Sequence, residues 1–263
     1  MIPRIHFFEF GDWRRLPAAI RHGITDFLEF AVRVSDLYAA VTPRLERALE
    51  ESGAPVILDL CSGGGGPWER MLDRLGPVRA GRIRVRVSDV YPNRAALRRL
   101  RERTGTALEV IEYPVSAMAV PAAIDGFRTL FSAFHHFRPD QARAILADAV
   151  AQRQGIAVFE STQRHPLLLL YMLFTPLLVL LATPFIRPFR WSRLLWTYLI
   201  PVIPLAVMFD GIVSCLRTYS VAELDRLTRG LDDQGYHWEC GVARLGPLPV
   251  GVTYLIGLPR PPG

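Results

Sequence analysis

Apolar positions set the first divisions of the chain. Between residues 13 and 50, Phe27, Leu28, Ala31, Val34, Tyr38, Val41, Leu45 and Leu49 recur at three- and four-residue steps, which predicts helix throughout. Gly53 and Pro55 end that pattern, and "VILDL" follows as a buried strand. Pro67 stands where a helix can begin, with Trp68, Met71, Leu72 and Leu75 on one face. "IRVRVSD" (83–89) reads as a second strand and "NRAALRRLRER" as a helix. "ALEVIEY", "RTLFSAF" and "GIAVFES" read as three more strands, with a helix over about 140–152 between the last two. Strands alternating with helices predict a parallel sheet covered on both faces.

A different pattern follows. "PLLLLYMLFTPLLVLLATPFI" is 21 residues without a charge, "RPFRWSR" interrupts, and "LLWTYLIPVIPLAVMF" adds 16 more. The first run is long enough to cross a bilayer and the second is short. Prolines 166, 176, 184, 201 and 204 break both. A spanning hairpin would put Arg187, Arg190 and Arg193 on the far side, against the positive-inside preference. Those arginines, among Trp191, Trp196 and Tyr198, suit a membrane surface, with guanidinium groups on phosphates. The expectation is a monotopic or re-entrant insertion dipping into one leaflet, at the cytoplasmic face of the inner membrane. The alternatives are an apolar lid and a dimer interface.

Composition changes this picture little. The chain has 263 residues, half of them hydrophobic, enough for one large domain or a domain with an insertion. All 31 basic residues are arginine, and the net charge is +6. Cys61, Cys215 and Cys240 lie far apart, so no metal-ligand spacing is present, and their low, odd number fits a reducing cytosol. "MIPRIHFFEFGDWRR" has acids within its short apolar part, unlike a signal peptide.

The chemistry is concentrated in "VILDLCSGGGGPW", residues 56–68. Glycines directly after a strand let backbone N–H groups approach a ligand. A phosphate-binding P-loop needs a lysine, and there is none. A dinucleotide G-x-G-x-x-G fails at Cys61 or Trp68. The pattern acid-x-G-x-G-x-G fits Asp59, Cys61, Gly63 and Gly65, with cysteine as the one substitution.

That pattern resembles the first motif of class I S-adenosylmethionine-dependent methyltransferases. The resemblance covers roughly residues 50–160 and 211–258, where "RTYSVAELDRL", "YHWECGVA" and "VTYLIGL" look like the last helix and the closing strand pair. It implies a doubly wound, seven-stranded, mostly parallel α/β sheet with S-adenosylmethionine as cofactor. The glycine loop would wrap the methionine part. Asp89, ending "RVRVSD", would accept both ribose hydroxyls, as an acceptor-only carboxylate can. Tyr91 would flank the adenine, and Ser116 stands where the family often has an acid near the adenine amino group. "FSAFHHF" falls where the family often carries aromatic or histidine residues facing cofactor and substrate.

Methyl transfer needs alignment above all, and a base only where the nucleophile must lose a proton. His135 and His136 are the candidates for that base, with Glu160 as a second candidate or an orienting group. Arg217 and Tyr219 are further candidates to meet an acidic or phenolic substrate. The expected organisation is an N-terminal helical cap (1–52), an α/β domain (53–162 and 211–263) and a hydrophobic insertion (163–210). The segment "FFEFGDWRRLPAAI" is expected to close over the cofactor. An insertion between the fifth strand and the last helix lies beside the carboxyl ends of the strands, which predicts an apolar or lipid-like acceptor. "SAFHHF" lacks the Asn/Asp-Pro-Pro-aromatic motif that holds a flipped base, so no nucleic acid is expected as a partner. The alternative function is a non-catalytic cofactor-binding scaffold at the membrane.

Overall fold

The computed structural model describes residues 2–13, 15–231, 235–244, 246–247 and 249–260, with the backbone alone at positions 77, 79, 94 and 95. The chain divides into two compact units, Asp36–Ser161 with Tyr219–Gly263, and Met1–Ser35 with Thr162–Thr218.

The first unit is built on seven strands: β1 (Val56–Asp59), β2 (Arg84–Val87), β3 (Leu108–Val110), β4 (Phe127–Phe131), β5 (Ile156–Glu160), β6 (Tyr236–Arg244) and β7 (Gly251–Pro259). Their order is β3-β2-β1-β4-β5-β7-β6, with β7 antiparallel between β5 and β6 and the rest parallel. β1, β4 and β5 are buried at every position, as expected of central strands covered on both faces. The order reverses between β1 and β4, both extending from the middle of the sheet, so their carboxyl ends mark the switch point where ligands bind in open α/β sheets. Around the sheet lie α2 (Thr42–Ser52), α3 (Trp68–Arg74), α4 (Gly76–Arg79), α5 (Arg94–Thr104), α6 (Pro139–Ala151) and α10 (Val221–Thr228). One apolar core gathers Leu58, Leu130, Phe134, Ile145, Leu146 and Val158.

The second unit holds α1 (Ala18–Ser35), α7 (Pro166–Ala182), α8 (Trp191–Leu194) and α9 (Val202–Arg217). Met172 meets Gly211, and the Tyr198 hydroxyl donates to the Leu180 carbonyl at 2.6 Å, so α7 and α9 run antiparallel. Gly23 lets α1 approach α9 closely, since a Cβ there would stand 2.3 Å from Ile203. Leu16, Ile20, Ile24, Phe27, Val179 and Ile203 form its core.

Several expectations change here. The helical stretch over 13–50 is interrupted, because Asp36 turns left-handed (φ 49°) and a 3₁₀ turn, Leu37–Val41, separates α1 from α2. Phe27 packs in the helical unit, whereas Tyr38, Val41, Leu45 and Leu49 are buried in the α/β unit. The three arginines of "RPFRWSR" do not all face outward. Arg193 is 1% exposed and donates to Asp26 at 2.7 Å and to the carbonyls of Ile186 and Pro188. Arg190 also binds Asp26, at 2.9 Å, and Arg187 alone of the three is exposed. Asp26 recruits them because a buried carboxylate needs a counter-charge.

Candidate active site at the carboxyl ends of the strands

Asp59 ends β1 and is 1% exposed. Ser62 Oγ donates to its Oδ2 at 2.6 Å and Thr129 Oγ1 to its Oδ1 at 2.7 Å. Burial raises its pKa to about 7, against the lowering effect of those two hydroxyls. Asp59 therefore ties β1, β4 and the glycine loop together from beneath.

The loop turns on a run of left-handed residues: Cys61 (φ 57°), Gly63 (54°), Gly65 (110°) and Gly66 (52°). At Gly63 and Gly66 nothing lies within 4 Å of where a Cβ would stand, so the outer side of the loop is open. At Gly65 a Cβ would come within 2.3 Å of Leu100, so glycine is needed there for α5 to pack. Cys61 adopts without glycine's freedom the conformation that glycine would take at this motif position. Its thiol is pushed up by burial, with Asp89 and Asp59 acting in the same direction, so it is not a thiolate nucleophile.

Asp89 stands two residues beyond β2. Its Oδ2 accepts the Gly63 N–H at 2.8 Å and its Oδ1 the Tyr91 N–H at 2.7 Å. Each carboxylate oxygen has two acceptor positions, so one on each remains for a further donor. That leaves acceptor capacity for a ligand with two adjacent hydroxyl donors. Tyr91 is exposed, and Ser116 is half-buried just after β3, where Val115 N–H donates to the Asp89 carbonyl.

At the ends of β4 and β5 lies a second group. His135 Nδ1 is 2.7 Å from Glu160 Oε2, and the His135 backbone N–H donates to Oε1 at 3.1 Å. Both residues are buried. With Glu160 as a carboxylate, Nδ1 carries the proton and Nε2 is the basic nitrogen. The His136 ring lies 4.3 Å from that of His135. Tyr219 donates to the Phe137 carbonyl at 2.7 Å and so holds the turn that carries both histidines. Arg217 is engaged in a buried ion pair with Glu9 and a second pair with the more exposed Asp12.

Residues missed in the sequence support this group. Ser132, at φ 45°, places its Oγ 2.7 Å from both the Tyr38 hydroxyl and Ser161 Oγ, directly beside Glu160 in the chain. Burial raises the Tyr38 pKa to about 12, so this phenol stays a donor. Only the Asp59-x-x-Ser62 spacing carried a readable signal.

No protein-family model matches the sequence, and no curated protein matches it. Solved structures do. An O-methyltransferase family protein from Burkholderia thailandensis is 15% identical with a TM-score of 0.51, over 91% of this chain and 60% of that one. Human N-acetylserotonin methyltransferase, solved with S-adenosylmethionine, is 12% identical with a TM-score of 0.51, over 94% of this chain and 60% of that one. The methyltransferase domain of bacterial CtHen1 is 11% identical with a TM-score of 0.51, over 84% of this chain and 99% of that one. This chain thus spans about six-tenths of the first two proteins. Its fold is that of the class I S-adenosylmethionine-dependent methyltransferases, with the mostly parallel seven-stranded sheet and antiparallel closing pair that the sequence implied.

Proposed function

We propose that this chain transfers a methyl group from S-adenosylmethionine to an apolar small-molecule or lipid-like acceptor at a membrane surface. The observation that carries the reading is the pairing, at one edge of one sheet, of a diol-ready Asp89 over an open glycine loop with the buried His135–Glu160 couple. In this reading Gly63 and Gly65, with Cys61, let the loop pass close to the cofactor, while Asp59 shapes that loop from below. Asp89 takes the ribose hydroxyls, and Tyr91 and Ser116 border the adenine.

When bound, the cofactor supplies a sulfonium whose methyl group is already activated. His135 Nε2 would take the proton of the acceptor hydroxyl. Glu160 orients the ring and stabilises the imidazolium that results. His136, against the same ring, is a second candidate for contact with the acceptor. The apolar unit enters the chain directly after β5 and supports an apolar acceptor delivered from a membrane.

The test is calorimetric titration of S-adenosylmethionine and S-adenosylhomocysteine into the full chain in mild detergent. Asp89→Ala is expected to weaken binding at least tenfold, through the loss of two bonds to a charged acceptor. Unchanged affinity overturns the cofactor site. Tight binding with no S-adenosylhomocysteine formed from any apolar acceptor replaces the enzyme with the scaffold.

A further inference from the structure

The helical unit is arranged inside out. Glu9, Asp26, Arg193, Asp210 and Arg217 are buried within it. Asp26 holds Arg190 and Arg193, Arg217 holds Glu9 and Asp12, and Asp210 accepts the N–H groups of Phe10 (2.7 Å) and Gly11 (3.0 Å). Its outer surface is the apolar one. Leu170, Phe174, Leu177 and Leu181 are 51–61% exposed along one stripe of α7, and Trp191 and Leu199 are 78% and 75% exposed. The stripe runs along most of α7. Water would penalise this arrangement on both counts.

The helix Pro166–Phe185 has 20 residues and is long and apolar enough to cross a bilayer by length and composition. Beyond it stand the Asp26–Arg190–Arg193 group and the exposed Arg187. The unit also carries ten arginines against five acids, where the α/β unit has 21 against 20.

We propose that the exposed apolar stripe of α7, with Trp191 and Leu199, contacts the hydrocarbon of a bilayer containing anionic lipid, with Arg187 at the phosphates. The proposal deepens the membrane part of the proposed function and rests on it for nothing else. The charge excess selects anionic headgroups.

The experiment uses the full chain, exchanged from mild detergent onto vesicles of phosphatidylcholine alone or of phosphatidylcholine with phosphatidylglycerol. Sedimentation with the anionic vesicles is expected at least tenfold more strongly than with the neutral ones. Leu177→Glu with Leu181→Glu is expected to leave the protein in the supernatant with S-adenosylmethionine affinity intact. Independently of any folding defect in that variant, brominated acyl chains are expected to quench a wild-type emission component that Trp191→Phe removes. Absence of that quenching overturns the proposal, as does a vesicle-free dimer whose contact is broken by the two glutamates, which would make the face an interface between copies. Equal binding to neutral vesicles overturns the anionic preference. Vesicle binding without cofactor binding leaves this inference standing and removes the methyltransferase reading instead.

Discussion

The two units solve the burial problem in opposite ways. Among described residues, 21 of the 25 exposed large hydrophobic side chains belong to the helical unit, although it holds only about a third of the chain. The α/β unit contributes just Tyr91, Tyr113, Met118 and Val242. It keeps its apolar strands inside and buries polar groups where the strand ends need them, as Asp59 with Ser62 and Thr129, and His135 with Glu160. The helical unit buries ion pairs in its interior and turns leucine outward. Hydrophobic content alone does not separate them, since apolar residues are the majority in β1, β4 and β5 as well as in α7. The difference lies in which apolar faces find partners within the chain.

The comparison can be broken most sharply inside the helical unit. Asp26→Ala leaves Arg193 buried without its carboxylate, and is expected to cost about 3–5 kcal/mol. Proteolysis of that unit should accelerate while S-adenosylmethionine binding by the α/β unit persists. The double change Asp26→Leu with Arg193→Met should recover much of the loss, because the uncompensated charge disappears. Cofactor affinity falling in step with the helical unit would show that the two units do not melt separately.

The next effect is on rate. Glu160→Gln keeps the shape but replaces the group that fixes the His135 proton on Nδ1. Turnover is expected to fall by about 10²–10⁴-fold with cofactor affinity unchanged. A change in affinity alone would make the couple a structural tie.

The smallest effect concerns pH. Asp59 has its folded pKa raised to about 7 from 3.8, so the native state binds this proton more tightly than the unfolded chain does. Its contribution to stability is full below pH 3.8, declines as pH rises, and is lost above about 7. Chemical denaturation of Asp59→Asn should show a flatter pH profile over that window, with the helical unit unaffected. An identical slope in the variant would mean that Asp59 stays ionised.

The strand–helix alternation was legible because a two-residue period, a three-to-four-residue period and the Gly/Pro breaks are local properties of the chain. The strand-end positions of Asp59 and Glu160 were legible because each closes an apolar run. Asp36 was missed: the apolar spacing runs straight through it, and nothing local announces a left-handed turn there. Tyr38, Ser132 and Ser161 were missed because their contact joins positions about 94 and 29 residues apart. Arg193 was misread for the same reason, since its partner Asp26 lies 167 residues away.

By itself, the sequence determined the alternation that builds the α/β sheet, the glycine loop after the first strand and the long uncharged run, because each depends only on neighbours along the chain. The tertiary structure decided which strand ends meet at the switch point, which hydroxyls hold Asp59 and which carboxylate takes Arg193. It also decided that 1–35 folds with 162–218, while 36–52 and 219–263 belong with the sheet, a division unlike the expected boundaries at 52, 163 and 211. Burial and pairing are properties of the distance between groups, and only the folded chain sets that distance.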